Sequence, residues 1–503
     1  MALGYRPVDR DQSFLLPPDM RDWLPDDHLV WFVLDVIGQL DTSALHARSR
    51  RGGVGREGYA PEMLLGLWVY ASARGICSSR QIERACREDV AFRVLCAQDV
   101  PDHTVLARFR QAHQGVMADL FSQVLALCVR AGLGRFGQVA IDGTKIRANA
   151  SRGRTVSLAR LRRIAAGEFA RAESADAAED AAGDGDDGEV PPSMTGPGRQ
   201  GRIRAAIAEL EAQIHQENRA PIVKAEADLA RARGRLVQAE EAQAVRIARY
   251  RQAREAGTPR AGRAPTEHSK PVRRARQTVA WREGLLAGLE VKKTAQLAGS
   301  PTQGRGFARR NTTDPDSRVM KTRNGFIQGF NAQLAVTDDH LIAVAELTND
   351  PTDGAWFVPM MDSTVQTVAV LNEKTSRDLA IGTITADNGY LSKTAVDAAG
   401  PNRLIAPGRG RVDPEKGWAG TVRNAASEAT VTMRAKLADP VNHATYKRRS
   451  ATVETVNAHL KDRRGLRQFA RRGLEAAQAE LHMAAMTTNL LRLFTLSQAA
   501  TTS

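Results

Sequence analysis

Three acidic residues far apart in the chain have local sequence contexts that suit metal-assisted chemistry on phosphates. Asp142 interrupts the β-branched run QVAIDGTKIRAN, Asp387 ends the run TITAD, and Glu454 lies in a segment with helical spacing. Carboxylates are the hard oxygen ligands that Mg²⁺ prefers, and two ions about 4 Å apart can stabilise both oxygens of an in-line displacement at phosphorus. The pattern predicts Asp142, Asp387 and Glu454 as catalytic residues and metal ligands.

Two strand ends and one helix would have to position these carboxylates. Asp142 and Asp387 each look like the end of a strand, where a rigid sheet edge fixes the direction of a side chain. Glu454 lies in a helix predicted from about residue 450 to 461, and Lys461, two turns later, would share its face and meet a phosphate. An apolar stripe would hold this helix on the sheet: Val453, Val456 and Leu460. Taken alone, an Asp before Gly is usually a turn residue, and a Glu on such a helix is usually solvated.

Basic residues surround the third carboxylate. From residue 446 to 472 the chain has nine Lys or Arg, with Glu454 and Asp462 as the only acids. The whole chain has a formal net charge of +14 and a sequence pI near 10.0, which favours a polyanionic partner such as nucleic acid. The DNA-binding residues predicted in this patch are Tyr446, Arg449, Lys461, Arg463 and Arg464.

The first 130 residues read as consecutive short helices. Met63, Leu64 and Leu67 recur at helical spacing after Pro61. Asp102 can cap a helix that carries Arg108 and Arg110. Such a cluster could place both arginines in a DNA groove, as in helix-turn-helix proteins, and a plain helical bundle fits equally well.

A long segment from 152 to 312 separates the first aspartate from the second. Between residues 173 and 189 it has eight acidic residues and no basic ones, which predicts a disordered linker or solvated loop. Residues 202–255 and 267–297 are rich in Ala, Leu, Glu, Arg and Gln with few helix breakers. They predict two long helices in a hairpin.

Strand patterns return after this segment. Residues 325–336 and 340–349 predict an antiparallel pair, 355–374 a helix, 383–387 a strand and 402–407 another strand. A final apolar helix includes Leu481, Met486 and Leu490. The fold class predicted from this order is α/β, with a mixed sheet flanked by helices.

Cysteine and apolar patterns exclude several other classes. The four cysteines show no CxxC pair, so neither zinc binding nor a disulfide framework is favoured. No window approaches the roughly 18 to 20 apolar residues that a membrane span requires, and the N-terminus lacks the pattern of a secretory signal. We expect a cytoplasmic, nucleoid-associated protein with no membrane partner.

The motifs resemble those of the DDE transposases of bacterial insertion sequences, specifically the IS1182-like group related to IS5 and IS4. VAIDGTKIRANAS (139–151) and ITADNGYLS (384–392) resemble the blocks around the first two catalytic aspartates, and TVETVNAHLKDRRGLRQFARRG (452–473) resembles the third block. Tyr446, Arg449, Glu454 and Lys461 match the family's Tyr, Arg, Glu, Lys signature in order. One departure is that four residues, instead of three, separate Arg449 from Glu454.

The resemblance implies a cut-and-paste transposase. Its expected parts are a helical, transposon-end-binding domain at 1–130, an RNase H-like catalytic core at 131–151 and 313–496, an insertion at 152–312 and a tail at 497–503. The implied cofactor is a pair of Mg²⁺ ions, for which Mn²⁺ can substitute. The implied partners are the terminal inverted repeats of its element, target DNA, and further copies of the chain in a homodimer or larger synaptic complex.

Two alternatives remain open at this point. A DNA-binding protein of transposase descent that no longer cleaves would bind without metal. A different RNase H-like nuclease or resolvase would cleave without joining strands. The presence of all three carboxylates favours an active transposase.

Overall fold

The computed structural model describes residues 19–47, 58–167, 199–258, 264–298, 309–408, 411–413, 417–419 and 427–502. The acidic stretch predicted between residues 173 and 189 lies outside these ranges. The chain divides into two compact units, one formed by residues up to 150 and from 316 onward, the other by residues 151–315. The predicted boundary at residue 130 does not separate two compact units, because the N-terminal helices share a core with the sheet.

The first unit begins with short helices, as predicted. They are α1 (Leu29–Gln39), α2 (Ser43–His46), α3 (Pro61–Ala73), α4 (Ser79–Glu88), α5 (Val90–Leu95), α6 (His103–Ala112) and α7 (Met117–Arg130). Asp102 caps α6, and its Oδ1 accepts the backbone N–H groups of Thr104 and Val105 at 2.6 and 3.1 Å. Most of α3 is buried. This explains the dense apolar content of its sequence.

A mixed sheet forms the centre of this unit. Its strands are β1 (Gln138–Arg147), β4 (Arg318–Thr322), β5 (Gly325–Thr337), β6 (Ile342–Thr348), β7 (Thr383–Ala386) and β8 (Asn402–Ile405). The order across the sheet is β6, β5, β1, β7, β8, and β4 pairs with the first part of β5. β5 is antiparallel to β1, β4 and β6, whereas β7 is parallel to both β1 and β8.

The prediction that Asp142 ends its strand is wrong. Asp142 is the fifth of ten residues in β1, because the strand continues along β5 until Arg147 pairs with Gly329. The parallel pairing with β7, however, stops at Ile141 and Ala386. Asp142 is therefore the first residue beyond that pairing, at the same edge at which β7 delivers Asp387.

Helices cover the sheet. After β6 comes α11 (Phe357–Thr375), and α12 (Lys393–Asp397) follows β7. A two-stranded ribbon, β9 (Arg411–Asp413) and β10 (Gly417–Ala419), and α13 (Glu428–Ala438) follow β8. These positions confirm the predicted helix at 355–374, the antiparallel pair before it and the strands at 383–387 and 402–407.

A single helical run spans residues 440–463, and we call it the Glu454 helix. It consists of α14 (Pro440–Arg449), a π-helical turn (Ser450–Glu454), α15 (Thr455–Ala458) and a second π-helical turn (His459–Arg463). The last helix, α16 (Leu474–Thr502), packs on α7 and β6 within the main core. α16 continues through residues 497–502 of the predicted tail, because no helix breaker interrupts the sequence there.

The second unit is mostly helical. It contains a short strand pair, β2 (Thr155–Ser157) with β3 (Arg309–Asn311), a helix α8 described over residues 158–167, and the long helices α9 (Arg199–Glu255) and α10 (Lys270–Ala298). The last two form the predicted hairpin. Arg282 donates to Asp228 at 2.8 Å and Arg233 to Glu283 at 2.7 Å across it.

Within the described ranges, no single helix has the length and apolar content to cross a membrane. By length and composition alone, α6 and α7 would pass such a test only as a pair with a bend of 56° between them.

Candidate active site

Asp142 is the buried centre of the site. Its Oδ2 accepts the side-chain amide of Asn457 at 3.1 Å, and its Oδ1 lies 3.8 Å from Nη1 of Arg449. Burial raises the pKa of Asp142 to about 7; the nearby charges of Asp387 and Asp353 add to this rise, and Arg449 opposes it. The site therefore concentrates more negative charge than its own cation neutralises.

Asp387 follows the last residue of β7. Its Oδ1 accepts the backbone N–H of Gly389 at 2.8 Å and so caps the 3₁₀ turn Asn388–Tyr390. This explains the Asp-Asn-Gly-Tyr sequence, in which the short side chain stabilises the turn that leads away from the sheet. The negative charge of Asp387 raises the pKa of both Asp142 and Arg449. The carboxylate that follows β7 and the one in the middle of β1 therefore belong to one site.

A fourth acidic residue, Asp353, also belongs to the site, and sequence reasoning missed it. It lies in the loop between β6 and α11. Its Oδ1 accepts the side-chain amides of Asn331 and Gln333, at 2.7 and 2.8 Å. The side-chain oxygen of Gln333 in turn accepts a hydrogen bond from the Tyr390 hydroxyl. The network fixes the Asp353 carboxylate beside the Asp387 turn.

One sequence signal could have led to Asp353. Asn331 and Gln333 are two residues apart in β5, and both are fully buried in a strand that is otherwise mostly apolar. Residues at that spacing face the same side of a strand, and buried amides require hydrogen-bond partners. The pattern therefore indicates a polar partner above β5, although it does not say which residue supplies it.

The Glu454 helix accommodates the departure from the family signature. Four residues separate Arg449 from Glu454, and those residues and Glu454 form a π-helical turn. A π turn holds one residue more than an α turn, so the extra residue is absorbed and the two side chains stay close. Nη2 of Arg449 lies 4.0 Å from Oε1 of Glu454. Arg449 thus lies between Asp142 and Glu454.

Arg449 and Tyr446 form a pair beside the aspartates. The guanidinium carbon of Arg449 is 6.0 Å from the Tyr446 ring centroid, and the Arg449 side chain is 13% exposed. Burial lowers the pKa of Arg449, but Tyr446, Asp142 and Asp387 outweigh that effect and raise it overall. Arg449 therefore stays charged, and its contacts are with the site itself. A direct DNA contact by either residue stays a prediction.

Asn457 and Lys461 continue the same face of the helix. Asn457, eight residues after Arg449, was missed in the sequence, and it hydrogen-bonds Asp142. Lys461 is half-buried. Burial and the charge of Arg467 lower its pKa, and the opposing effects of Asp142 and Asp462 are smaller. Lys461 therefore lies within the electrostatic reach of Asp142. Glu454 itself is 63% exposed and lies at the rim of the site.

Two predicted DNA-binding arginines have internal partners instead. Arg464 is 8% exposed, and its Nη1 donates to the backbone carbonyls of Ser72, at 3.1 Å, and of Ala73, at the end of α3. Arg110 is stacked 4.4 Å from the centroid of the Trp68 ring and lies 3.7 Å from Glu480. Packing of the helices covers most of both side chains, and contact of either arginine with DNA stays a prediction.

The other two predicted DNA-binding arginines are exposed. Arg463 precedes the buried Arg464, and Arg108 lies on the outer side of α6. Arg108 lines an open cleft of about 640 Å³, together with Arg471 and Arg472. Their predicted contacts with DNA remain predictions.

The turn after the Glu454 helix touches the end of α3 through two glycines. Gly75 and Gly465 have φ angles of +75° and +69°. A Cβ added to Gly75 would lie 3.0 Å from the carbonyl oxygen of Arg463, and one added to Gly465 would lie 3.0 Å from that of Gly75. Larger residues would separate the two backbones, so the N-terminal helices directly support the end of the Glu454 helix.

Within the described residues, no three His, Cys, Asp or Glu side chains already stand in an arrangement that could hold a metal ion. The acidic side chains instead surround Arg449, which contacts Asp142 on one side and Glu454 on the other. The structure therefore shows a cluster of carboxylates around a cation.

Two models of known protein families match the chain, one in the N-terminal part and one in the C-terminal part of the first unit. A family model described as "Transposase domain (DUF772)" matches residues 18–112, and one described as "Transposase DDE domain" matches residues 413–494. Together these matches support a DDE transposase of an insertion sequence. The second match contains Arg449, Glu454 and Lys461, whereas Asp142 and Asp387 lie outside both matches.

The two matches support a transposase function and imply that the protein binds DNA. No curated protein and no solved structure matches the chain. Placement of this transposase in the IS1182-like group therefore stays a prediction.

Proposed function

We propose that this transposase cleaves DNA at the ends of its element and joins the freed ends to target DNA, with Asp142, Asp387 and Glu454 as the catalytic carboxylates. One observation carries the proposal. Asp142 and Asp387 emerge at the same edge of two parallel, adjacent strands, and Arg449 links Asp142 to Glu454. The match to a transposase DDE domain spans residues 413–494 and so includes Glu454.

The donor groups fit divalent metal ions. Asp353 and Asp387 lie within electrostatic reach of Asp142, and their negative charges contribute to its raised pKa. The side-chain oxygens of Asn331 and Asn457 are buried and have no hydrogen-bond partner in the described part of the chain. Carboxylate and amide oxygens are what Mg²⁺ takes as ligands. Asp142, Asp387 and Glu454 would hold two Mg²⁺ ions, or Mn²⁺ in their place.

Such ions, when bound, would activate a water or a 3′-hydroxyl and stabilise the charge that develops on the phosphate. Glu454 would first have to turn from Arg449 towards the aspartates, which its exposure permits. Arg449, released from Glu454, would still offset the charge of Asp142. Lys461, half-buried on the same helix, would contact a phosphate of the bound strand.

The proposal extends to the fold of the catalytic core, the assembly of the protein and its location. Three antiparallel strands followed by two parallel ones, with α11 connecting the two groups, are compatible with an RNase H-like core. Two element ends must be brought together, so we propose a homodimer or a larger synaptic complex on the terminal inverted repeats. Because the substrate is DNA, we propose a cytoplasmic, nucleoid-associated location.

The test uses linear DNA that carries the ends of the protein's own element. The protein is incubated with this DNA and a target plasmid in Mg²⁺, in Mn²⁺ or in EDTA, and nicked and joined products are separated by electrophoresis. Metal-dependent nicking and joining are expected, and each should be lost in Asp142→Ala, Asp387→Ala and Glu454→Gln while DNA binding is kept.

Asp462→Asn is the matched control, because Asp462 is an exposed acid on the same helix that pairs with Arg467. It should retain both activities. Cleavage in EDTA, or full activity of the Asp142 variant, would overturn the proposal. Supplying pre-cleaved ends with a free 3′-hydroxyl tests joining by itself and separates a transposase from a simple nuclease.

A further inference from the structure

The helical hairpin of the second unit has an uneven charge distribution. We define the hairpin tip as residues 231–258 together with 264–276, and the hairpin stem as residues 204–230 together with 277–298. The tip has eleven Lys or Arg residues and four acids, whereas the stem has six Lys or Arg and seven acids. The net positive charge of the hairpin therefore lies in the tip.

Only a few of the tip arginines are neutralised within the hairpin. Arg231 pairs with Asp228, Arg233 with Glu283 at 2.7 Å, and Arg276 with Glu240 at 2.6 Å. Eight further basic residues of the tip are exposed and form no ion pair with any described residue. They are Arg235, Arg246, Arg249, Arg251, Arg254, Lys270, Arg273 and Arg274.

Part of this charge forms a stripe along α9. Arg235, Arg246 and Arg249 are separated by 11 and 3 residues, so at 3.6 residues per turn they fall within an arc of about 60° on the helix. The stripe is about 21 Å long at 1.5 Å per residue. Unpaired like charges on one helix face repel each other, so an external anion would stabilise this arrangement.

The hairpin presents this stripe on a rigid support. Arg282 with Asp228, Arg276 with Glu240, and the Gln243 side chain with the Thr266 carbonyl, at 2.8 Å, connect α9 to the opposite side of the hairpin. Binding would therefore order only the arginine side chains, and the backbone would not need to fold.

We propose that the hairpin tip binds the phosphate backbone of duplex DNA without reading its sequence. Duplex DNA carries one negative charge per about 1.7 Å of axis, and the planar guanidinium group is suited to phosphate oxygens. Val237 and Val245 are the exposed large apolar residues of the described tip, which is too little for insertion into a membrane. The inference rests on DNA being the substrate, as in the proposed function, and it assigns a binding role to a unit outside the catalytic sheet.

The experiment compares two triple variants of the full-length protein. The tip variant is Arg235→Gln, Arg246→Gln and Arg249→Gln. The stem variant, Arg219→Gln, Lys224→Gln and Lys292→Gln, removes the same charge from exposed residues of the stem. Affinity for a 40-bp duplex of arbitrary sequence is measured by fluorescence anisotropy in EDTA over a range of salt concentrations. Circular dichroism checks that both variants keep their helical content.

We expect the tip variant to bind at least about tenfold more weakly at low salt. The slope of log K against log salt should fall by about 2 to 3, because each lost phosphate contact removes about 0.9. The stem variant should stay within about twofold of the unmodified protein.

Equal binding by the two variants would overturn the inference. So would a loss in the tip variant confined to single-stranded RNA or to anionic lipid vesicles, assayed in parallel. Because binding is measured in EDTA on DNA without element ends, the result does not depend on catalysis. A failure of the proposed function would instead appear in the cleavage assay alone.

Discussion

Gly143 leaves the space that the Asp353 carboxylate occupies. A Cβ built on Gly143 would lie 2.3 Å from Oδ1 of Asp353 and 2.7 Å from the Gln333 amide nitrogen. The glycine after Asp142 is therefore required by a tertiary contact, although the pair Asp-Gly in a sequence usually indicates a turn. The first and the fourth carboxylate of the site depend on the same short stretch of β1.

Gly143→Ala should damage both stability and cleavage. The added methyl group must displace Asp353 or bend β1, at a cost of about 1 to 3 kcal/mol in the free energy of unfolding. Chemical denaturation and the cleavage assay measure the two effects. Gly137→Ala is the control, since a Cβ there meets only Asp338, at 3.8 Å. Equal effects of the two substitutions would contradict the steric argument.

Asp353→Asn tests whether the fourth carboxylate takes part in metal binding. The amide keeps the size of the side chain but removes one negative charge from the group around Asp142. We expect the Mg²⁺ concentration for half-maximal cleavage to rise about tenfold or more, while DNA binding in EDTA stays unchanged. Asp350→Asn, in the same loop, serves as the control, because the Asp350 side chain contacts Trp356. An unchanged Mg²⁺ requirement would exclude Asp353 from the metal site.

The raised pKa of Asp142 predicts a pH-dependent stability. From the ordinary value of 3.8 up to about 7, the folded protein keeps a proton on Asp142 that the unfolded chain has lost. The free energy of unfolding therefore falls as pH rises through this window, by up to about 1.4 kcal/mol per pH unit. Asp142→Asn removes this pH dependence.

In EDTA, the Tm gained by Asp142→Asn over the unmodified protein should be largest above pH 7 and should shrink towards pH 4. Thermal unfolding measured from pH 4 to pH 8 checks this. Asp462→Asn, which changes an exposed carboxylate, should show no such trend. A gain that does not vary with pH would show that Asp142 is ionised throughout.

The π-helical turn predicts an unusual tolerance to deletion. Removing Ser450 would convert the turn Ser450–Glu454 into an ordinary α turn and place Arg449 and Glu454 four residues apart, still on one face. Cleavage should be retained within about tenfold. Removing Thr455 from α15 instead would turn Asn457 and Lys461 by about 100° relative to Arg449 and Glu454 and should abolish cleavage. Equal losses would contradict this account of the extra residue.

Two neighbouring arginines should differ sharply in their effect on stability. Arg464→Met leaves buried carbonyl groups of α3 without a donor and should lower the free energy of unfolding by about 2 to 3 kcal/mol. Arg463→Met changes an exposed residue and should alter it by less than about 0.5 kcal/mol. Denaturant titration of both variants makes the comparison. A similar loss in each would mean that Arg464 is not held by α3.

Local sequence was enough for the elements that depend on local chemistry. The long hairpin, the strand that ends before Asp387 and the helix around Glu454 follow from periodicity, breakers and turn residues, and the structure confirms them. The length of β1 was not predictable in this way, because its second half exists only through pairing with β5, which lies far away in the chain.

The environments that packing gives to individual side chains could not be predicted from the sequence either. Arg463 and Arg464 are adjacent and chemically identical, yet contact with α3 buries only one of them. Asp353 lies in a loop whose composition suggests only a turn, and its neighbours in the site come from three other parts of the chain. The positions of Asp387 after a strand and of Glu454 on a helix could therefore be predicted from the sequence. The residues that contact and orient the site's carboxylates could not.

The pairing around Gly329 has a consequence for how this chain could have evolved. Arg147, which ends β1, and Arg318, which begins β4, both pair with Gly329 from opposite sides of β5. With neighbouring strands about 4.8 Å apart, the polypeptide leaves and rejoins the sheet at points only about 10 Å apart. A turn of a few residues could close so small a gap. The intervening unit could therefore be gained, lost or exchanged without moving Asp142, and we expect length differences among relatives to concentrate at this junction.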